Sequence, residues 1–353
     1  MELGMLHWFE CPVSAPQGDI IREHLELMVK AEELGFDSVW PAEHHFSEFA
    51  LMGAPQVTLA AVAARTSRIR LGSGVVVLPF HHPVRIAEDF AFLDQMSGGR
   101  IALGVGRGHQ PLEFAGFEVE PANARAMFDE GVQLVRRLWT GERVSFAGRH
   151  YRVQNLTVQP RPLQQPHPPI YMACVSPESF EHCGRLGCHL LYSAAFGLTP
   201  AQARLGIAKF RYGRVESGLE AATGRTACLL MIYPGRSMEQ ARADFRGPVT
   251  WYYRTFSRHI APIVGALPGY ADYARARDFA AVVDFDALVD TPSLVCGDVE
   301  HCTEKLIALG REFGFDELLC WTRMGGLASA KVIAAMELLS GEILPAVRCA
   351  LSN

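Results

Sequence analysis

The strongest constraint on the fold is a recurrence: short apolar runs alternate with longer segments of helical periodicity, the pattern of repeated strand–helix units around a parallel sheet. The runs fall at Met5–Cys11, Ser38–Pro41, Ile69–Leu78, Ile101–Val105, Ile170–Cys174, His189–Ser193, Ala227–Tyr233 and Glu317–Thr322. Helical segments are expected over Ile20–Leu34 with Gly35 closing it, Pro55–Thr66, Val84–Met96, Ala122–Trp139, from Ser176, over Thr199–Ser217, from about Met238, and over Asp298–Leu309 and Ala328–Leu344. Eight units predict one α/β domain over residues 1–353, a (β/α)8 TIM barrel. The rival, an open doubly wound sheet, needs a switch point that the sequence does not offer. Two stretches depart from the rhythm. Val144–Phe146 and Tyr151–Val153, turned at Ala147–Arg149, predict a hairpin inserted before the fifth strand. Arg246–Asp290, after the seventh strand, is rich in aromatic residues, proline and glycine and is expected to be a lid-like insertion. Its Trp251, Tyr252, Tyr253, Phe256, Tyr270 and Tyr273 either line that lid or simply pack.

The bulk properties narrow the class of function. Hydrophobic residues make up 49% of the 353 and no Gly/Ser-rich or charged linker divides them, which favours a single core. A formal charge of −5 argues against nucleic acid or an anionic membrane as the main partner. No apolar stretch is long enough to span a bilayer, and Met1–Pro12 enters a strand-like run without a basic leader, so a cytoplasmic protein is expected. The nine cysteines are scattered, contain no C-x-x-C pair, and read as reduced, mostly buried small hydrophobes.

Several runs discharge polar groups at their carboxyl ends, which is where a barrel places its chemistry. Glu43, His44 and His45 follow the second run in W-P-A-E-H-H-F. A histidine with a carboxylate neighbour at the barrel mouth can act as a base near neutral pH. Imidazoles and carboxylates also bind zinc or iron, but the adjacent side chains of His44–His45 and His81–His82 point apart in extended backbone, so no full metal site is indicated. Gly72 and Gly74 lie inside the third run, which signals either a bulge or a close approach of backbone to a ligand. Gly104, Gly106 and Gly108 surround Arg107, a poor dinucleotide fingerprint but a good setting for a guanidinium that meets phosphate. Ser176 and Ser179 open the fifth helix, where free amides favour an anion; S-x-x-S is also an ordinary N-cap.

The words E-H-H-F-S-E-F, G-S-G-V-V-V-L-P-F-H-H-P-V-R (Gly72–Arg85), L-D-Q-M-S-G-G-R (Leu93–Arg100) and G-V-G-R-G together resemble the bacterial luciferase-like flavin monooxygenases. The similarity runs in order from the first strand to about Ser193 and resumes weakly at Gly269–Phe279 and around Val295–Leu309. The resemblance implies a (β/α)8 barrel, usually dimeric, binding FMN at the carboxyl ends of its strands. It implies reduced flavin and O2 as co-reactants, a 4a-(hydro)peroxyflavin, a small organic substrate, and a separate NAD(P)H:flavin reductase. By position, His44 matches the catalytic histidine, supported by Glu43 and His45. The Gly74–Val75 bond matches a non-prolyl cis peptide beneath the flavin ring, and Gly106 lies beside it. Arg107, Ser176 and Ser179 match phosphate-binding positions, and Val175 a cofactor-binding one. Gly106 stands where the luciferases carry a cysteine, so the resemblance does not extend to light emission, and the divergent lid segment leaves the substrate open. Related barrels use a 5-deazaflavin for hydride transfer, others bind flavin without turnover as partner subunits, and the histidines alone would also suit a metal-dependent hydrolase. The helices after the second and third strands are the expected dimer interface.

Overall fold

A computed structural model describes residues 1–12, 15–195, 198–259, 278, 280–281 and 284–352. Strands β1 (Glu2–His7), β2 (Ser38–Pro41), β3 (Arg70–Gly72) with its continuation β4 (Val76–Val77), β5 (Ile101–Gly106), β8 (Ile170–Cys174), β9 (His189–Ser193), β10 (Thr226–Pro234) and β12 (Glu317–Trp321) pair in parallel, and β12 returns to β1, closing an eight-stranded barrel. Helices cover its outside: α1 (Gln17–Glu33), α2 (Pro55–Ala63), α3 (Pro83–Ser97), α4 (Pro111–Gly116), α5 (Ala124–Thr140), α6 (Pro177–Arg185), α7 (Pro200–Glu216), α8 (Met238–His259), α9 (Phe285–Val289), α10 (Val299–Phe313), α11 (Ser329–Leu338) and α12 (Leu344–Ser352). Strands buried on both faces need continuous apolar runs; all of Thr226–Pro234 is buried. The helices instead present stripes, as in α1, where Ile20, His24, Leu27, Met28 and Ala31 face inward. Gly35 and Gly98 take φ of +81° and +71° just past α1 and α3, the left-handed conformation that ends a helix at low cost.

Several boundaries differ from the sequence expectation. The first strand lies at Glu2–His7, not Met5–Cys11, because its pairing starts at Glu2↔Glu317 and Phe9, with φ +60°, leaves the extended region. The run Ile69–Leu78 is not one strand: it breaks between Gly72 and Val76, and its Gly74–Val75 peptide is cis, as the resemblance implied. A ninth parallel segment, β11 (Leu294–Gly297), was not anticipated. Met231 pairs with Trp321 on one edge and Leu294 on the other, so β11 takes over the edge of β10 that β9 leaves after Leu229. The hairpin is present as β6 (Val144–Ala147) and β7 (Arg152–Leu156). Arg246 does not begin a break, since α8 runs on to His259 with Pro248 inside it. Of the expected lid aromatics, Tyr252, Tyr253 and Phe256 are buried on α8, while Tyr270 and Tyr273 lie outside the described residues. All nine cysteines are free thiols, eight of them buried. No helix among the described residues is long and apolar enough to cross a membrane.

Candidate active site

Because every barrel strand runs the same way, the residues after β1, β2, β3, β5, β8 and β9 meet at one mouth. A cavity of about 400 Å³ opens there. Glu43, His44, Gly74, Val75, Gly106, Arg107, Val175, Ser176 and Ser179 all line it, whereas His45, Gly72, Gly104, His81 and His82 do not.

His44 is held by residues that local sequence reading missed. Its Nδ1 lies 2.8 Å from Glu113 Oε1 on α4, with the side-chain amide of Gln110, at that helix's N-cap, beside the same nitrogen. Glu113 Oε1 also accepts from the His45 amide at 2.9 Å. Burial pushes the Glu113 carboxyl up, but the neighbouring His44, by charge and by hydrogen bond, together with the His45 amide, holds it below its ordinary value. An ionised Glu113 fixes the proton of His44 on Nδ1 and leaves Nε2 as the nitrogen available to the cavity, an orientation suited to a base. The Trp8 ring lies 4.9 Å from the imidazole and Phe49 meets it edge-on at 5.0 Å, so His44 is fixed on its apolar sides as well. His109 stands edge-on to it at 5.6 Å. Burial, then His44 and Arg107, push His109 down to about 3, which keeps it neutral.

Glu43 does a different job. Its Oε1 accepts from His45 Nε2 and His81 Nε2, each at 2.8 Å, and its Oε2 from the Val77 amide at 2.8 Å. Desolvation raises its carboxyl, and these donors more than reverse that. The Glu43 amide donates to Val75 O at 3.1 Å and the Gly74 amide to Pro41 O at 2.9 Å, so the broken third strand is tied to the loop after β2. His45 therefore supports Glu43 and does not face the cavity. Glycine is required where that shelf meets β5: a Cβ on Gly104 would lie 1.9 Å from Ser73 O, and one on Gly106 2.6 Å from Val75 Cγ2. The two glycines of the third run are crowded by side chains, a Cβ on Gly72 meeting Trp40 at 2.3 Å and one on Gly74 meeting Leu6 at 2.9 Å.

The other end of the cavity gathers cationic side chains and a helix start. Ser176 and Ser179 form a reciprocal capping box at the start of α6, so the N-cap reading holds, and the cap itself faces the cavity. The Val175 and Ser176 amides also reach Ser179 Oγ, at 3.2 and 3.0 Å. Helix N-termini attract negative charge. Arg107 follows β5, the neighbour of β8 in the barrel. Arg125, near the start of α5, was missed: it lines the cavity, half-buried, and makes no hydrogen bond or ion pair among the described residues. Two guanidiniums and a helix start suit a phosphate monoester. No group of three or more histidines, cysteines or carboxylates among the described residues is placed to hold a metal.

The profile of the family described as "Luciferase-like monooxygenase" matches residues 1–317. The chain belongs to that family. It is 33% identical over 178 residues, 49% of each chain, to the oxygenase component of the flavin-dependent trigonelline monooxygenase of Acinetobacter baylyi. The crystal structure of the monooxygenase RslO1 from Streptomyces bottropensis superposes with a TM-score of 0.83 at 29% identity, covering 98% of this chain and 99% of the other. The same fold is found in an F420-dependent secondary alcohol dehydrogenase, with a TM-score of 0.78 at 22% identity over 98% of this chain and 99% of that one. This luciferase-like chain is thus an oxidoreductase relative with a luciferase-type barrel, in keeping with the resemblance read from its strand ends.

Proposed function

We propose that this chain is the oxygenase component of a two-component flavin monooxygenase, taking reduced FMN from a separate NAD(P)H:flavin reductase and oxygenating a small organic substrate with O2. The observation that supports it best is convergence: an anion-binding end with Arg107, Arg125, Ser176 and Ser179, a backbone shelf at Gly74–Val75 and Gly106, and His44, backed by Glu113, all border one cavity. When bound, reduced FMN supplies two electrons and two protons, so that one oxygen atom of O2 enters the substrate and the other leaves as water. The protein's part is placement, proton handling at His44 Nε2, and exclusion of water by walls that include Trp8, Leu229, Phe256 and Leu319. The name of the Acinetobacter relative supports both the flavin and the separate reductase.

The test is anaerobic reduction of the chain with FMN followed by an oxygen pulse. A transient absorbance distinct from free oxidised flavin, with oxygen consumed, is expected; flavin that reoxidises as it does without protein sinks the reading. Deazaflavin-dependent hydride transfer is the second reading, favoured by the shared fold of the alcohol dehydrogenase. Tight binding of F420 with no binding of FMN would establish it instead. We also assign a homodimer to the faces of α2 and α3, where Val57, Phe92 and Met96 are 67%, 59% and 42% exposed. Sedimentation at micromolar concentration should give twice the chain mass, and replacing Val57 and Phe92 by Asp should give a folded monomer. A wild-type monomer would refute this assignment.

A further inference from the structure

Behind the aromatic wall of the cavity lies a group of buried polar side chains for which the proposed reaction has no use. The Trp8 ring, which lies against His44, stacks on Trp321 with centroids 4.7 Å apart and planes 16° apart. Trp321 Nε1 donates to Glu10 Oε1 at 2.9 Å. Glu10 is fully buried, and its second oxygen has no hydrogen-bond partner among the described residues. Arg323, just beyond β12 and 2% exposed, reaches Glu23 of α1 at 3.2 Å, while its Nε and Nη1 have no partner. His7 and His24 sit beside it with their Nδ1 atoms 3.1 Å apart and both Nε2 atoms unpartnered. Such a concentration of unsatisfied buried groups is rare unless it has a use.

We propose that Glu10 is a positioning residue for His44: its charge state sets the seat of Trp321 and, through the stacked Trp8 ring, the placement of the imidazole. The inference rests on the reading of His44 as the base. An indole N–H is held more strongly by a carboxylate than by a neutral carboxyl, so gain and loss of the charge tighten and loosen the first link. The two ring contacts carry the displacement on, because packed aromatic surfaces leave little slack.

The surroundings single out Glu10 as the group that changes. Burial, against the pull of Arg323 and the hydrogen bond from Trp321, pushes its carboxyl up to about 7. Burial and Arg323 push His7 down to about 3 and His24 well below its ordinary value, so both stay neutral. Burial raises the Cys11 thiol, which also faces Glu48, and holds the Tyr252 phenol of α8, edge-on to Trp321 at 4.3 Å, well above its ordinary value.

The test follows the indole N–H resonances of the full chain by NMR from pH 5.5 to 8.5, assigned by Trp8→Phe and Trp321→Phe. Both the Trp321 and the Trp8 signals are expected to shift with a common midpoint near 7, Glu10→Gln should abolish the transition, and Glu10→Asp should keep one. In parallel, the flavin-reduced enzyme is mixed with O2 at pH 6 and pH 8 and the rate of hydrogen peroxide release is measured, since without a substrate all the O2 consumed ends as peroxide. The wild type should change by at least about threefold between the two, the scale on which small misplacements affect a reacting group, and Glu10→Gln should be flat. The inference is overturned if Trp8 stays fixed while Trp321 moves, if Glu10→Gln titrates like the wild type, or if peroxide release is independent of pH. The NMR arm needs no flavin, so failure to bind FMN would defeat the proposed function and still leave the Glu10–Trp321–Trp8 relay decided.

Discussion

Replacing His44 by alanine is expected to leave FMN bound and to slow substrate oxygenation by about 10²–10⁴-fold, the range usual for loss of a general base, while the oxygen consumed emerges as hydrogen peroxide. The expectation comes from geometry. Glu113 occupies Nδ1 at 2.8 Å, Trp8 and Phe49 fix the ring plane, and Nε2 is left for the cavity. Glu113→Gln tests the same assignment from behind, since an amide no longer favours the Nδ1–H tautomer and should lower the rate in the same direction without weakening flavin binding. Rate and coupling unchanged in His44→Ala would remove the imidazole from the reaction. The pH sign is fixed as well. The Glu113 carboxyl is depressed in the folded protein, so the stability it contributes is complete above its ordinary value of 4.5 and is lost as acid titrates the folded group below that.

Arg125→Ala should weaken FMN binding by about 10- to 100-fold, the equivalent of one charge-assisted hydrogen bond left unmade, and Arg107→Ala should do the same. Riboflavin, which has the ring and no phosphate, should bind both variants as it binds the wild type. The contrast between the two ligands isolates the anion-binding end from the shelf, and raising the salt concentration should shrink it. Measuring both affinities by fluorescence quenching decides the matter: equal losses for FMN and riboflavin would mean that the arginines support the fold, and no loss at all would mean that the phosphate lies elsewhere.

The legible part of this molecule is whatever is encoded locally. The parallel strands appear as continuous apolar runs, and their polar ends mark the mouth; Ser176 and Ser179 announce their cap by spacing alone. Glu113 and Arg125 could not be found in that way, because α4 brings the one to His44 and α5 the other to the cavity only when the barrel closes. A carboxylate in H-Q-P-L-E looks like any surface residue until His44, from the loop after β2, arrives beside it. Other misses are failures to weigh one local signal against another. Trp8–Cys11 looks like strand by composition, yet pairing with β12 places the strand earlier. Gly247–Pro248 suggests a break, although Val249, Tyr252, Tyr253 and Phe256 keep the helical spacing and are all buried. The run Leu294–Gly297 is too short to stand out and is a strand only because β10 extends beyond β9 and leaves an edge to be paired.

The interrupted third strand carries one more implication. The main-chain groups freed where β3 stops are taken up by Pro41 O, the Glu43 amide and the Glu43 carboxylate, so the floor at Gly74–Val77 and the segment carrying His44 are mechanically one part. A change at either disturbs both, and substrate preference in this chain should be easier to alter at Leu198 or Leu229, lining residues outside that joined part.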